Sequence, residues 1–147
     1  MKRIAFVCLC LFVLNTSAFA QDSHSVRVEK AYAYATSAVQ KNGAVFMSVF
    51  NDADFAVSLT GAKTHVSETV ELHTHVMDGD VMMMREVESY PLEGKSSLIL
   101  EPMGNHIMLM GLNAPLVEGE SFELKLYFNE THEHDVIVEI IKPGDSR

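Results

Sequence analysis

Residues 122–128 read Phe-Glu-Leu-Lys-Leu-Tyr-Phe, which puts Phe122, Leu124, Leu126 and Phe128 on one side of an extended strand and Glu123, Lys125 and Tyr127 on the other. That period of two buries one face of a β-sheet, whereas a helix needs apolar positions about every 3.6 residues. The same short apolar-polar runs recur over 26–33, 44–50, 57–62, 70–76, 81–87, 97–100, 106–110 and 136–141. Turn chemistry separates them: Lys41-Asn42-Gly43, Asn51-Asp52-Ala53-Asp54, Asp78-Gly79-Asp80, Glu93-Gly94-Lys95, Pro102-Met103-Gly104-Asn105 and Glu118-Gly119-Glu120. Strands at this spacing, with no helix of more than a turn or two, predict one all-β domain of the Greek-key sandwich or barrel type. A chain of 147 residues has room for only one such core.

The first twenty residues stand apart from this pattern. Lys2 and Arg3 precede an apolar run from Ile4 to Leu14, and Ala18-Phe19-Ala20 then gives the small-x-small pattern that signal peptidase cuts. We expect residues 1–20 to be a cleaved export signal, a mature domain over 21–147 and a periplasmic location. The apolar run falls well short of the ~20 residues that span a bilayer, so no membrane anchor is expected. Both cysteines, Cys8 and Cys10, lie inside this leader, and neither sits in a small-residue lipobox. The mature chain would then hold no thiol, which excludes disulfide scaffolds, thiol catalysis and cysteine-ligated metal sites together.

Charge narrows the partners. Twenty acidic residues against 11 basic ones give a net charge of -9 and leave nothing to neutralise a phosphate backbone, so nucleic acid is excluded. Seven His and nine Met in a chain of this size tilt instead toward soft metals. In the run 70–76, Val70, Leu72 and Thr74 share one face, leaving Glu71, His73 and His75 on the other. By the same alternation Met82 pairs with Met84 on one face of its strand, and His106 with Met108 and Met110 on one face of theirs. His73, Met84, His106 and Met108 follow the spacing His-x10-Met-x21-His-x-Met, which at this composition arises by chance in roughly one sequence per thousand.

With Glu71-Leu72-His73, Val81-Met82-Met83-Met84-Arg85 and His106-Ile107-Met108-Leu109-Met110-Gly111-Leu112 around it, this spacing resembles the periplasmic copper chaperone family of the PCuAC type. The resemblance runs from Ala31-Tyr32-Ala33-Tyr34-Ala35-Thr36 to the last two strands. It implies a cupredoxin-like sandwich that binds one Cu(I) through those four side chains. It also implies delivery to a copper-accepting protein, such as the CuA site of cytochrome oxidase subunit II or another periplasmic copper chaperone. A copper buffer without a dedicated acceptor is the alternative.

The ligand chemistry agrees. Thioethers are soft and neutral and favour Cu(I), while zinc prefers thiolate, imidazole or carboxylate. We expect a monomer without catalysis: a copper oxygenase with an N-terminal histidine brace would need His at mature position one, where this chain has Gln21, and no Gly-x-Ser-x-Gly word marks a hydrolase. Met82 and Met110 share faces with the four and are assigned beside the site, and His75 is placed to bind or guard the metal. Met47, Met77, Met83 and Met103 are expected in the core or at the surface. The run Glu130-Thr131-His132-Glu133-His134-Asp135 is expected at the turn or strand edge between the last two strands, either as a solvated acidic segment or as a second, Cu(II) site on His132 and His134. His65 is expected in a loop.

Overall fold

A computed structural model describes residues 26–145; the expected leader, with Cys8 and Cys10, lies outside them. The described chain contains ten strands: β1 Val26–Tyr34, β2 Asn42–Asn51, β3 Val57–Lys63, β4 Ser67–Asp78, β5 Val81–Glu86, β6 Tyr90–Leu92, β7 Ser96–Leu100, β8 His106–Leu112, β9 Ser121–Phe128 and β10 His132–Ile141. They hydrogen-bond in the order β5-β4-β8-β2-β1-β10-β9-β3-β6, with β7 also on β2. The sandwich expectation therefore holds, and nearly all its neighbours are antiparallel.

The path turns over at β1. Its first half pairs with the end of β2, Val26 opposite Asn51 through Glu29 opposite Ser48. The register then shifts between Glu29 and Tyr32, where Lys30 takes a left-handed φ of 53°. Beyond this bulge Tyr32–Tyr34 also pairs in parallel with Glu139–Ile141 of β10, so one strand serves both layers. β2 is shared in a similar way: Asn42–Val45 pairs with β8 and Met47–Asn51 with β7.

Alternation then decides what is buried. Val45, Met47, Val49, Leu72, Ile107 and Leu109 point inward from one layer and meet Leu59, Leu124, Leu126, Phe128 and Val138 from the other. Each such side chain contributes about 1.5–3 kcal/mol by leaving water. On the outer surface of β1 and β2 a smaller group, Tyr32, Phe46 and Ile141, packs with Tyr34 and Ala44. The buried Asn51 closes the lower loops: its Nδ2 donates to the carbonyls of Phe55 at 2.8 Å and Glu93 at 3.0 Å, and its Oδ1 accepts from the Ala53 amide at 3.1 Å.

Two elements differ from the sequence reading. β6 was not expected, because three residues with Pro91 at their centre carry no alternation signal. β10 begins at His132, so the stretch expected at the turn or strand edge is mostly strand. The turn itself is Asn129-Glu130, with left-handed φ of 48° and 65°, the hand that suits a tight hairpin.

Candidate metal centre

Three neighbouring strands carry the residues of the spacing motif, and their register fixes which side chains meet. Across β4 and β8, His73 lies directly opposite His106 and Glu71 opposite Met108. Across β4 and β5, His75 lies opposite Met84, and across β2 and β8, Ala44 lies opposite Met108. Directly opposed residues share a sheet face with Cβ atoms about 5 Å apart. Since Leu72, Ile107 and Leu109 fill the core, His73, His75, Met84, His106 and Met108 all stand on the outer face.

There they border a cleft. His75, Met84, Met103, His106, Met108 and Phe46 are among the residues that line it. His73 lies beside this lining, its ring centre 5.8 Å from that of His106, while the His75 ring is 5.3 Å from His106. The three strands that the sequence reading grouped are neighbours in the sheet. In addition, the structure puts His75 in the cleft wall, nearer to Met84 in register than His73.

The hydrogen bonds set the tautomer of every ring. The Gly104 carbonyl can only accept, so Nδ1–H of His106 at 3.0 Å and Nδ1–H of His75 at 3.1 Å both donate to it. Each of these rings is left with a bare Nε2. In His73 the arrangement is reversed: Nε2 lies 2.8 Å from the Glu71 carboxylate, which accepts its proton, and Nδ1 keeps the lone pair. That Nδ1 is the one buried side-chain nitrogen or oxygen among the described residues without a hydrogen-bond partner. A buried lone pair without a donor is costly, and a metal ion would satisfy it. Carboxylate or carbonyl partners on the far nitrogen are how ligating imidazoles are oriented.

His106 is almost fully buried, and burial pushes its pKa below the ordinary value; the neighbouring His75 and His73 add to this, and the Gly104 carbonyl opposes it. It therefore stays neutral and ready to ligate over more of the acidic range. Met84 and Met103 are 47% and 67% exposed, so the thioether side of the cleft is open to solvent. The donor set fits a soft ion. Among the described residues no group of three or more His, Cys, Asp or Glu is arranged to hold a metal.

Sequence reasoning missed two supports. Tyr90, on β6 in the opposite layer, sends its hydroxyl to the backbone carbonyls of His73 at 2.5 Å and His106 at 3.1 Å. Glu71 was placed on the right face without its role, although Glu-x-His on one strand face was a usable signal. Met47 is core, and Met77 and Met83 are exposed, as expected. Met103, expected in the core or at the surface, is exposed at the cleft rim. Met82 faces Met77 toward the hairpin end, and Met110 stands one step past Met108 beside Asn42 and Thr69. His65 is an exposed bend residue.

His132 and His134 lie within β10. Both histidines share the strand face of buried Val136 and Val138, while Glu133 and Asp135 project from the opposite face. There Lys125 is bonded to Glu133 and lies 3.6 Å from Asp135.

This β-sandwich is cupredoxin-like, the fold of PCuAC domains. It is similar to the copper-bound PCuAC domain from PmoF2, with a TM-score of 0.69 and 20% identity over 80% of this chain and 93% of that domain. It is also similar to the solution structure of CuI-DR1885 from Deinococcus radiodurans, with a TM-score of 0.65 and 25% identity over 90% of this chain and 87% of that one. By sequence, the chain belongs to the LpqE-like family, whose model, described as "Putative lipoprotein LpqE-like", matches residues 26–140. A relative from Leifsonia xyli subsp. xyli, described as "Putative lipoprotein Lxx21020", is 30% identical over 132 residues, 89% of this chain and 80% of that protein.

Proposed function

We propose that this protein is a non-enzymatic copper carrier that binds one Cu(I) through His73, Met84, His106 and Met108. The observation that carries the reading is the set of bare imidazole nitrogens, each fixed by a hydrogen bond on its other nitrogen, on the same sheet face as two thioethers. Two soft neutral sulfurs select Cu(I), and two neutral imidazoles complete a four-coordinate shell without a thiolate. The likeness to DR1885, solved with Cu(I), supports the same cargo.

The open thioether side suits a carrier, because an acceptor's ligand can reach the ion before the last protein ligand lets go. In this reading the leader exports the chain to the periplasm, where it acts as a monomer and gives copper to an acceptor such as the CuA site of cytochrome oxidase subunit II or another copper chaperone. Incubating the Cu(I)-loaded protein with each apo-acceptor, separating the two and measuring copper on both tests this. Transfer to one acceptor and not to a control protein is expected. Retention against every acceptor would favour the copper-tolerance buffer.

A further inference from the structure

The metal face holds one imidazole more than a shell of two His and two Met uses. His75 is directly opposite Met84 and lines the cleft with Met84, His106 and Met108. Its Nδ1–H shares the Gly104 carbonyl with that of His106, so one backbone oxygen orients both rings and leaves both Nε2 atoms bare. His73 is the next residue on the same face of β4, about 7 Å along the strand. Its side chain is 13% exposed, and its unpartnered Nδ1 is buried.

Two imidazoles on a single ion, each about 2 Å from it through nitrogen, have ring centres no more than about 6 Å apart. The separations of 5.3 Å for His75–His106 and 5.8 Å for His73–His106 both meet that limit. Met84, His106 and Met108 can therefore be completed to four ligands in two ways: by His75 at the cleft wall, or by His73 beside it.

We infer that His75 is an exchange ligand: copper enters and leaves through the set His75, Met84, His106 and Met108, and rests in the set completed by His73. This builds on the Cu(I)-carrier reading. In the exchange the His75 Nε2 lone pair forms a bond to Cu(I) as the His73 Nδ1 bond breaks. The copper stays Cu(I) and four-coordinate. No proton moves, because the remaining N–H of each ring stays on Gly104 or Glu71. Both sets keep Met84 at the open side of the cleft, and the exchange replaces the buried His73 Nδ1 by the His75 Nε2 at the cleft wall, where an incoming ligand can displace it.

The test compares His75→Asn, whose amide can still donate to Gly104, with His73→Asn and with His75→Met, which restores a ligand. Equilibrium Cu(I) affinity is measured by competition with a chromogenic chelator, and the release rate by stopped flow into an excess of the same chelator. His75→Asn should slow release by about tenfold or more while changing affinity by less than about threefold, and His73→Asn should lose affinity by about tenfold or more. His75→Met should recover most of the rate. Wild-type release from His75→Asn, or equal affinity losses in the two Asn variants, would overturn the exchange role while leaving the carrier intact. Failure of the wild type to take up Cu(I) would instead remove the carrier reading and the exchange role with it.

Discussion

The Tyr90 hydroxyl meets the carbonyl of His106 at 3.1 Å and that of His73 at 2.5 Å, from the far layer of the sandwich. One phenol therefore ties the backbone beneath two imidazoles to β6 in the other layer. The Tyr90 ring is buried, and burial raises its pKa to about 12.

Removing that hydroxyl tests the tie. Tyr90→Phe should lower stability by about 1–1.5 kcal/mol, the net worth of a hydrogen bond of this kind, and weaken Cu(I) binding without touching any ligand. The pH response has a definite sign. An acid whose folded pKa lies above its unfolded value of about 10 contributes stability below pH 10 and loses it as pH rises toward 12. Denaturant unfolding from pH 9 to 12 should show that loss in wild type and less of it in Tyr90→Phe.

His106 titrates in the opposite direction. Its folded pKa is depressed, so between the unfolded value of about 6.5 and the lower folded one the unfolded chain binds more protons. Stability of the metal-free protein should therefore fall as pH drops below about 6.5. Chemical denaturation at pH 5, 6 and 7 measures it, and His106→Asn, whose amide can replace Nδ1–H as a donor to Gly104, should flatten the slope.

The strand placement of His132 and His134 predicts no copper site there. Titration with Cu(II) should give the same stoichiometry for wild type and for the double Ala variant. An equivalent that disappears with both imidazoles would show that the two rings bind without the carboxylates on the opposite strand face.

Processing is a separate question, because the family and its Leifsonia relative are described as lipoproteins while neither cysteine here has a lipobox. Intact mass of the exported protein should match a chain starting at Gln21 with no lipid. A retained Cys8 or Cys10 carrying a diacylglycerol adduct would place the protein at the membrane instead.

Alternation made the faces of the sheet legible, and with them the grouping of His73 with His75 and of His106 with Met108. It did not give the stagger between strands, because period two says which side a residue occupies and not which residue it opposes. The pairing of His75 with Met84 is therefore a structural result. The Gly104 carbonyl was hidden for a related reason: it sits in a short loop whose Met103 takes a left-handed φ of 67°, and nothing in the sequence aims that oxygen at two rings. Tyr90 was invisible because its strand has only three residues and the bond crosses the core.

The central claim is that His73, Met84, His106 and Met108 hold one Cu(I). Competition between the purified protein and a Cu(I) chelator, at pH 7 under anaerobic reducing conditions, tests it most directly. Wild type should take up one equivalent, each single Ala variant should bind about tenfold or more weakly, and the quadruple variant should remain folded and take up none. A folded quadruple variant that holds Cu(I) as tightly as wild type would contradict the assignment.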